Sequence, residues 1–181
     1  MAAMSAAPLT FLDLTDCDIH RIRQRWIDLP IQECGDPEVF VLDHLQLMSE
    51  VQSDHRGDAA PVMRELRHLA AELNVCLILL CQTPPQAELR ADHRPRLNDL
   101  TAVEAMQAYA HGIAVLHREE YWDPNTPQRG EAELIVFKNS DNPVGTVRLG
   151  FELQFSRFTA SQPCLPVQGM GDAVSRLSAA A

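Results

Sequence analysis

Of the fifteen basic residues in this 181-residue chain, only one is a lysine, Lys138. A phosphate-binding loop of the form G-x-x-x-x-G-K-[ST] uses glycine-rich backbone to cradle phosphates and a lysine to reach the β and γ groups. Lys138 is followed by Asn139, so that loop is absent from these 181 residues. Basic charge is scarce in general: fifteen bases against twenty-five acids leave a net charge of −10. Nonspecific affinity for nucleic acid comes mainly from Lys and Arg neutralising phosphates, so an acidic domain of this kind is expected to hold DNA weakly. Aromatic residues are few, at 6%, which limits stacking platforms for single strands. Apolar runs such as Cys76–Cys81 are far too short to span a bilayer. Met1–Pro8 is rich in alanine but has neither a basic start nor a long apolar core, unlike a secretory signal. The five cysteines, Cys17, Cys34, Cys76, Cys81 and Cys164, show no disulfide framework and no metal spacing. A cytoplasmic chain with free thiols is expected, with Cys76 and Cys81 as small core residues. The seven histidines are scattered, and none makes a helical pair with a third ligand nearby.

What is present is a globular pattern. Hydrophobic residues make up 46% of the chain, and the length suits a single domain. Leu9–Leu14 reads as a short apolar strand. Asp18 is placed to cap a helix whose apolar stripe is Ile19, Ile22, Trp26 and Leu29, ended by Pro30. Val39-Phe40-Val41-Leu42 is apolar without alternation, the pattern of a strand covered on both faces inside a parallel sheet. Ser49–Ala59 reads as a polar loop. Val62, Met63, Leu66, Leu69, Ala70 and Leu73 line one face of a second helix that stops at Asn74. Val75–Cys81 and Gly112–His117 read as further buried strands. Between them lie a proline-rich loop, Thr83–Leu97, and a helix, Leu100–Ala110. Glu131–Lys138 and Thr146–Phe151 read as a β-hairpin, and the Ser/Pro/Ala/Gly-rich Thr159–Ala181 as a disordered tail.

Asp43 stands at the end of the first strand, where ligands bind in open α/β sheets. An acid there is well sited to hold a metal ion beside a phosphate. Capping the following turn accounts for it equally well. Asp99 and Glu104 are a candidate acid pair for acid–base work, although loop and helix solvation explains them too.

Asp43-His44-Leu45-Gln46-Leu47-Met48-Ser49 resembles the Walker B segment D-Y-L-Q-L-M-S of the bacterial replicative DNA helicases of the DnaB type. Collinear matches follow. Glu72-Leu73-Asn74-Val75, then Leu77-Ile78-Leu79-Leu80-Cys81-Gln82, resembles E-L-N-V-P-V-I-A-L-S-Q. Asp92-His93-Arg94-Pro95-Arg96-Leu97-Asn98-Asp99-Leu100 resembles D-K-R-P-x-L-S-D-L. Arg118-Glu119-Glu120-Tyr121-Trp122-Asp123-Pro124-Asn125-Thr126 is similar to R-D-E-Y-Y-N-P-D-T, and Gly145-Thr146-Val147 and Phe155-Ser156-Arg157-Phe158 match G-T-V and F-T-R-F.

The resemblance covers residues 9–158. It implies an α/β fold: a partial RecA-like parallel sheet with flanking helices and a C-terminal antiparallel hairpin. It implies a motor that unwinds DNA with ATP and magnesium as a ring hexamer. Asp43 would be the magnesium-side aspartate, Gln82 the γ-phosphate-sensing glutamine, and Lys138 the hairpin lysine that points across a subunit boundary. A strand-end polar residue bonded to a loop and a solvated hairpin charge are the alternatives for Gln82 and Lys138.

The departures are as specific as the matches. The sequence reads as starting after the family's P-loop and catalytic glutamate. The family's hairpin K-Q-R-N-G-P is here Lys138-Asn139-Ser140-Asp141-Asn142-Pro143, with Ser140 at the place of the arginine finger. An arginine finger is worth about 10³–10⁵ in rate. In the stretch that touches DNA in the family, Thr101 replaces an arginine, Glu104 a glycine, and Tyr109 and His111 two aspartates. The expectation is a non-catalytic remnant or accessory. The alternatives are one half of a split helicase completed by a P-loop fragment, or a modulator docking on an intact ring. Sheet order in the family places the P-loop strand between the strands ending at Gln82 and His117. In its absence three outcomes are open: the two strands close on each other, a partner inserts a strand, or the chain associates with itself; closure is the one expected of a compact monomer.

Overall fold

A computed structural model describes residues 9–12, 18–28, 39–48, 51, 59–83 and 89–160. Its contacts cluster into two compact units, one of residues 1–82 with 104–109, the other of residues 83–103 with 110–181.

In the first unit, α1 is Ile19–Ile27. Asp18 caps it, its Oδ1 accepting from the Arg21 amide at 2.6 Å, which satisfies one of the donors that a helix start leaves open. The buried residues of α1 are Ile19, Ile22 and Trp26, the expected stripe. The helix ends at Asp28, and Leu29 and Pro30 lie outside the described residues. Strand β1 is Val39–Leu42, and a 3-10 turn follows over Leu45–Leu47. Helix α2, Ala60–Leu73, stops where Asn74 enters the left-handed region at φ 53°, a conformation that asparagine tolerates well. Its buried face is Val62, Met63, Leu66 and Leu69. Strand β2, Cys76–Leu79, pairs parallel with β1, Val39 opposite Cys76 and Leu42 opposite Leu79. Trp26 meets Phe40 edge-on at 5.7 Å, and Arg23 bonds Glu72 across α1 and α2 at 2.8 Å.

A short helix α3, Val103–Tyr109, spans the boundary of the two units. The second unit is an antiparallel sheet in chain order: β3 (Gly112–His117), β4 (Glu131–Asn139), β5 (Gly145–Glu152) and β6 (Arg157–Ala160). A single-turn helix, α4 (Glu119–Trp122), connects β3 to the loop before β4. The expected hairpin is β4–β5. The extra strand β6 includes Thr159 and Ala160, and residues 161–181 lie outside the described residues.

Three expectations need correction. Leu9–Leu12 forms no strand and is exposed, while Asp13 and Leu14 lie outside the described residues. The apolar strands are not covered on both faces. Val39 is 51% exposed, Val41 52%, Ile78 44% and Leu80 42%. These alternate with half-buried or buried neighbours, so one face of β1–β2 is bare. Strand β3 alternates too, with Ile113, Val115 and His117 buried and the residues between them exposed. Cys76 is therefore exposed and Cys81 half-buried, burial pushing the Cys81 thiol up to about 11.

Closure of β2 on β3 does not occur. Strand β2 pairs with β1 alone and β3 with β4 alone among the described residues. The reason lies in β3. It is paired with β4 as part of an antiparallel four-stranded sheet that belongs to a separate compact unit.

Candidate functional site

Asp43 directly follows β1, and Gln82 lies in the segment that leaves β2 after Leu79, so both fall at the same, carboxyl, end of the parallel β1–β2 sheet. The sequence expectation placed both there, and the structure brings them to one sheet end. Both are exposed. The backbone ties the two strand exits together: Leu80 N–H donates to Leu42 O at 2.9 Å and Leu45 N–H to Leu80 O at 2.9 Å. The 3-10 turn then closes with Leu47 N–H on His44 O at 3.0 Å and Met48 N–H on Leu45 O at 3.1 Å. Leu45 and Met48 are 1% exposed, so burial anchors the turn that carries His44 and Gln46.

That turn makes a polar network that sequence reasoning did not identify. Gln46 spans the backbone of Gln82, its Nε2 donating to Gln82 O at 3.2 Å and its Oε1 accepting from Gln82 N–H at 3.3 Å. His44 Nδ1 lies 3.1 Å from Gln46 Oε1, and His44 Nε2 lies 3.2 Å from Gln82 Nε2. A signal was available: His44, Gln46 and Gln82 are polar residues that flank two strand ends in a parallel pair. Their pairing across 36 and 38 positions needed the register of the strands.

Asp43 makes no hydrogen bond or ion pair among the described residues. No group of three or more His, Cys, Asp and Glu suited to a metal ion occurs among those residues. A hard divalent cation needs several oxygen ligands, or a phosphate to share, and Asp43 alone supplies neither. A bound phosphate needs donors such as a lysine, an arginine or a nest of backbone N–H groups. The sheet end offers a carboxylate and a carboxamide engaged with an imidazole. Its residues do not fit a nucleotide with magnesium on their own.

Lys138 belongs to the second unit, half-buried in β4 opposite Ile113. Ser140, at the arginine-finger position, is exposed and bonded within its own unit: its amide and hydroxyl both donate to His111 O at 3.0 Å. Asp99 is committed to structure. Arg90 reaches it with two guanidinium nitrogens at 2.7 and 2.5 Å, and the Arg96 amide donates to it at 2.6 Å. The Arg90 bond holds the Asp99 carboxyl below the usual carboxylate range, with the Arg96 amide adding to it. A carboxylate so held is a poor proton shuttle near neutral pH. Glu104 is exposed in the first turn of α3.

A separate cleft of about 230 Å³ in the second unit mixes both signs, with Arg94 and Arg148 against Glu119, Glu131 and Glu133. Arg94 pairs with Glu133, and buried His117 bonds Glu119 at 3.1 Å. Arg94 and Glu133 thus satisfy each other, as do His117 and Glu119.

Comparison with known proteins adds to this geometry. The profile of the DnaB-like helicase C terminal domain matches residues 1–160. The replicative DNA helicase DnaB of Haemophilus influenzae is 37% identical over 147 residues, which are 80% of this chain and 31% of that protein. DnaB of Mycobacterium leprae is 30% identical over 161 residues, 88% of this chain and 26% of that protein. The chain therefore spans less than a third of these curated relatives. A solved DnaB-like replicative helicase, described with its interactions with primase, superimposes with a TM-score of 0.79 at 27% identity, over 89% of this chain and 39% of that one. A second solved structure, of an ATPase domain, superimposes with a TM-score of 0.67 at 30% identity, over 79% of this chain and 50% of that one.

Proposed function

The chain belongs to the DnaB-like helicase C-terminal domain family, and from that premise we propose that it serves replicative helicase machinery as a non-catalytic accessory. One observation carries the reading: among the described residues, the side chains at the carboxyl end of the β1–β2 sheet, Asp43, His44, Gln46 and Gln82, include no lysine or arginine to meet a phosphate. Lys138, the only lysine, is half-buried in β4. Ser140, at the finger position, bonds to His111. Phosphoryl transfer depends mostly on positioning and on electrostatic stabilisation of the transferred group. These 181 residues supply neither by themselves, so no step through ATP or magnesium is assigned to them.

The test is steady-state ATPase of the purified chain with magnesium and single-stranded DNA. No turnover above background is expected. Turnover that survives re-purification and disappears in Asp43→Ala would overturn the proposal.

A second reading is favoured by the bare β1–β2 face and by the edge of β2 that pairs with no strand among the described residues. In it, a separate P-loop-bearing polypeptide completes the motor. Magnesium- and ATP-dependent activity that appears only on mixing the two would support this reading. Co-purification with intact helicase subunits, without new activity, would support a modulator instead.

A further inference from the structure

The backbone of Gln82 fixes the orientation of every polar group around it. A backbone N–H only donates and a carbonyl only accepts. Gln82 N–H faces Gln46 Oε1 and Gln82 O faces Gln46 Nε2, at 3.3 and 3.2 Å, so the Gln46 carboxamide has one allowed orientation. Gln46 Oε1 then faces His44 Nδ1 at 3.1 Å. An acceptor in that place requires a hydrogen on Nδ1. A neutral imidazole with Nδ1–H has its lone pair on Nε2. That lone pair faces the Gln82 side chain at 3.2 Å, where Nε2 is the near atom. Gln82 therefore donates with its NH₂ group, and its Oε1 is left as the atom offered at the end of β2. Among the described residues nothing donates to that oxygen.

We propose that His44 is a positioning residue for Gln82. In its neutral Nδ1–H form it holds the carboxamide with the carbonyl oxygen outward, so that oxygen takes a hydrogen-bond donor, such as a water or a hydroxyl, and one of the two side-chain N–H groups is withdrawn from any phosphate. The orientation stands on bonds within the first unit alone. The statement about ligands rests on the reading that this sheet end corresponds to the family's nucleotide-facing end. At the position of His44 the motif D-Y-L-Q-L-M-S has a tyrosine, whose hydroxyl donates or accepts as needed. The imidazole tautomer described here only accepts at Nε2, which makes the orientation of Gln82 a property of this chain.

The experiment is ¹⁵N NMR on the whole chain, at a pH well above the ordinary range of imidazole titration. Two-bond correlations of the His44 ring identify the tautomer, and a through-hydrogen-bond coupling between His44 Nε2 and Gln82 Nε2 reads the contact directly. The Nδ1–H tautomer and a resolved N–N coupling are expected. In His44→Phe the coupling is lost, the Gln82 NH₂ signals move to solvent-exposed values, and inorganic phosphate shifts them at lower concentration than in the wild type. An Nε2–H tautomer, an absent coupling, or a measurable phosphate response of equal size in both proteins overturns the proposal. The tautomer is read in the free wild-type protein, so it is decided even where a variant folds badly. Phosphate that moves neither protein's Gln82 signals counts against the nucleotide-facing reading alone, since the ring tautomer is measured without it.

Discussion

Asp99 accepts three hydrogen bonds, two from Arg90 and one from the Arg96 amide, with its side chain 12% exposed. These bonds close the loop between Arg90 and α3 on itself, with Arg90 also donating to Arg94 O at 2.5 Å. Removing one partner of such a network leaves the others unpaired, which costs more than the bond itself. Asp99→Ala is expected to lower stability by about 1–3 kcal/mol in urea unfolding near neutral pH. The pH dependence follows from the depressed carboxyl. A carboxylate held below its unfolded value, about 3.9 for Asp, contributes fully above that value. Its contribution is lost as pH falls through the folded value. The gap between wild type and Asp99→Ala should therefore be constant from neutral pH down to the ordinary carboxyl range and shrink below it. A gap that widens on acidification would contradict the assigned bonds. At the same scale, Gly150 is a position where no side chain fits as the strands stand. A Cβ there would overlap Thr159 Oγ1, across the β5–β6 pair. Gly150→Ala alone should destabilise by about 1–3 kcal/mol. Thr159→Ala should relieve much of that loss, read as a coupling energy in a double-mutant cycle.

At the scale of elements, the two faces of the β1–β2 layer differ. Leu69 of α2 is 0% exposed, whereas Ile78 of β2 is 44% exposed. Leu69→Ala should cost about 2–5 kcal/mol through lost transfer energy and the cavity it leaves. Ile78→Thr keeps the branched strand side chain and should lie within about 0.5 kcal/mol of wild type. Urea midpoints compared at a common slope check both. A large loss at Ile78 would mean that its face is covered in solution. The helices of this layer were legible in the sequence, since the three- and four-residue spacing of Ile19, Ile22 and Trp26, and of Val62, Met63, Leu66 and Leu69, appears unchanged in the burial. The strands were only half legible. An apolar run such as Val39-Phe40-Val41-Leu42 states what a strand is able to bury, not what lies over it.

For the whole molecule, charge is the clearest guide. A net charge of −10 repels a polyanion at long range, and Thr101 stands where the family's DNA-contact arginine is expected. Single-stranded DNA should bind weakly in fluorescence anisotropy at moderate salt, and a submicromolar, salt-sensitive isotherm would contradict this. Among the described residues no helix is long and apolar enough to cross a membrane.

Local pattern alone determined α1 and α2, the stop at Asn74, the β4–β5 hairpin and the placement of Asp43 and Gln82 at strand ends. Periodicity, caps and strand-end position are all encoded within a few residues of one another. The single lysine excludes a G-x-x-x-x-G-K-[ST] loop within these 181 residues on composition alone. Three features were decided only by tertiary structure: the bare face of β1–β2, the separate pairing of β2 and β3, and the ring of bonds from His44 through Gln46 to Gln82. Each depends on which distant segment a strand edge or side chain meets, and that is set by register and packing, which no local window of sequence contains.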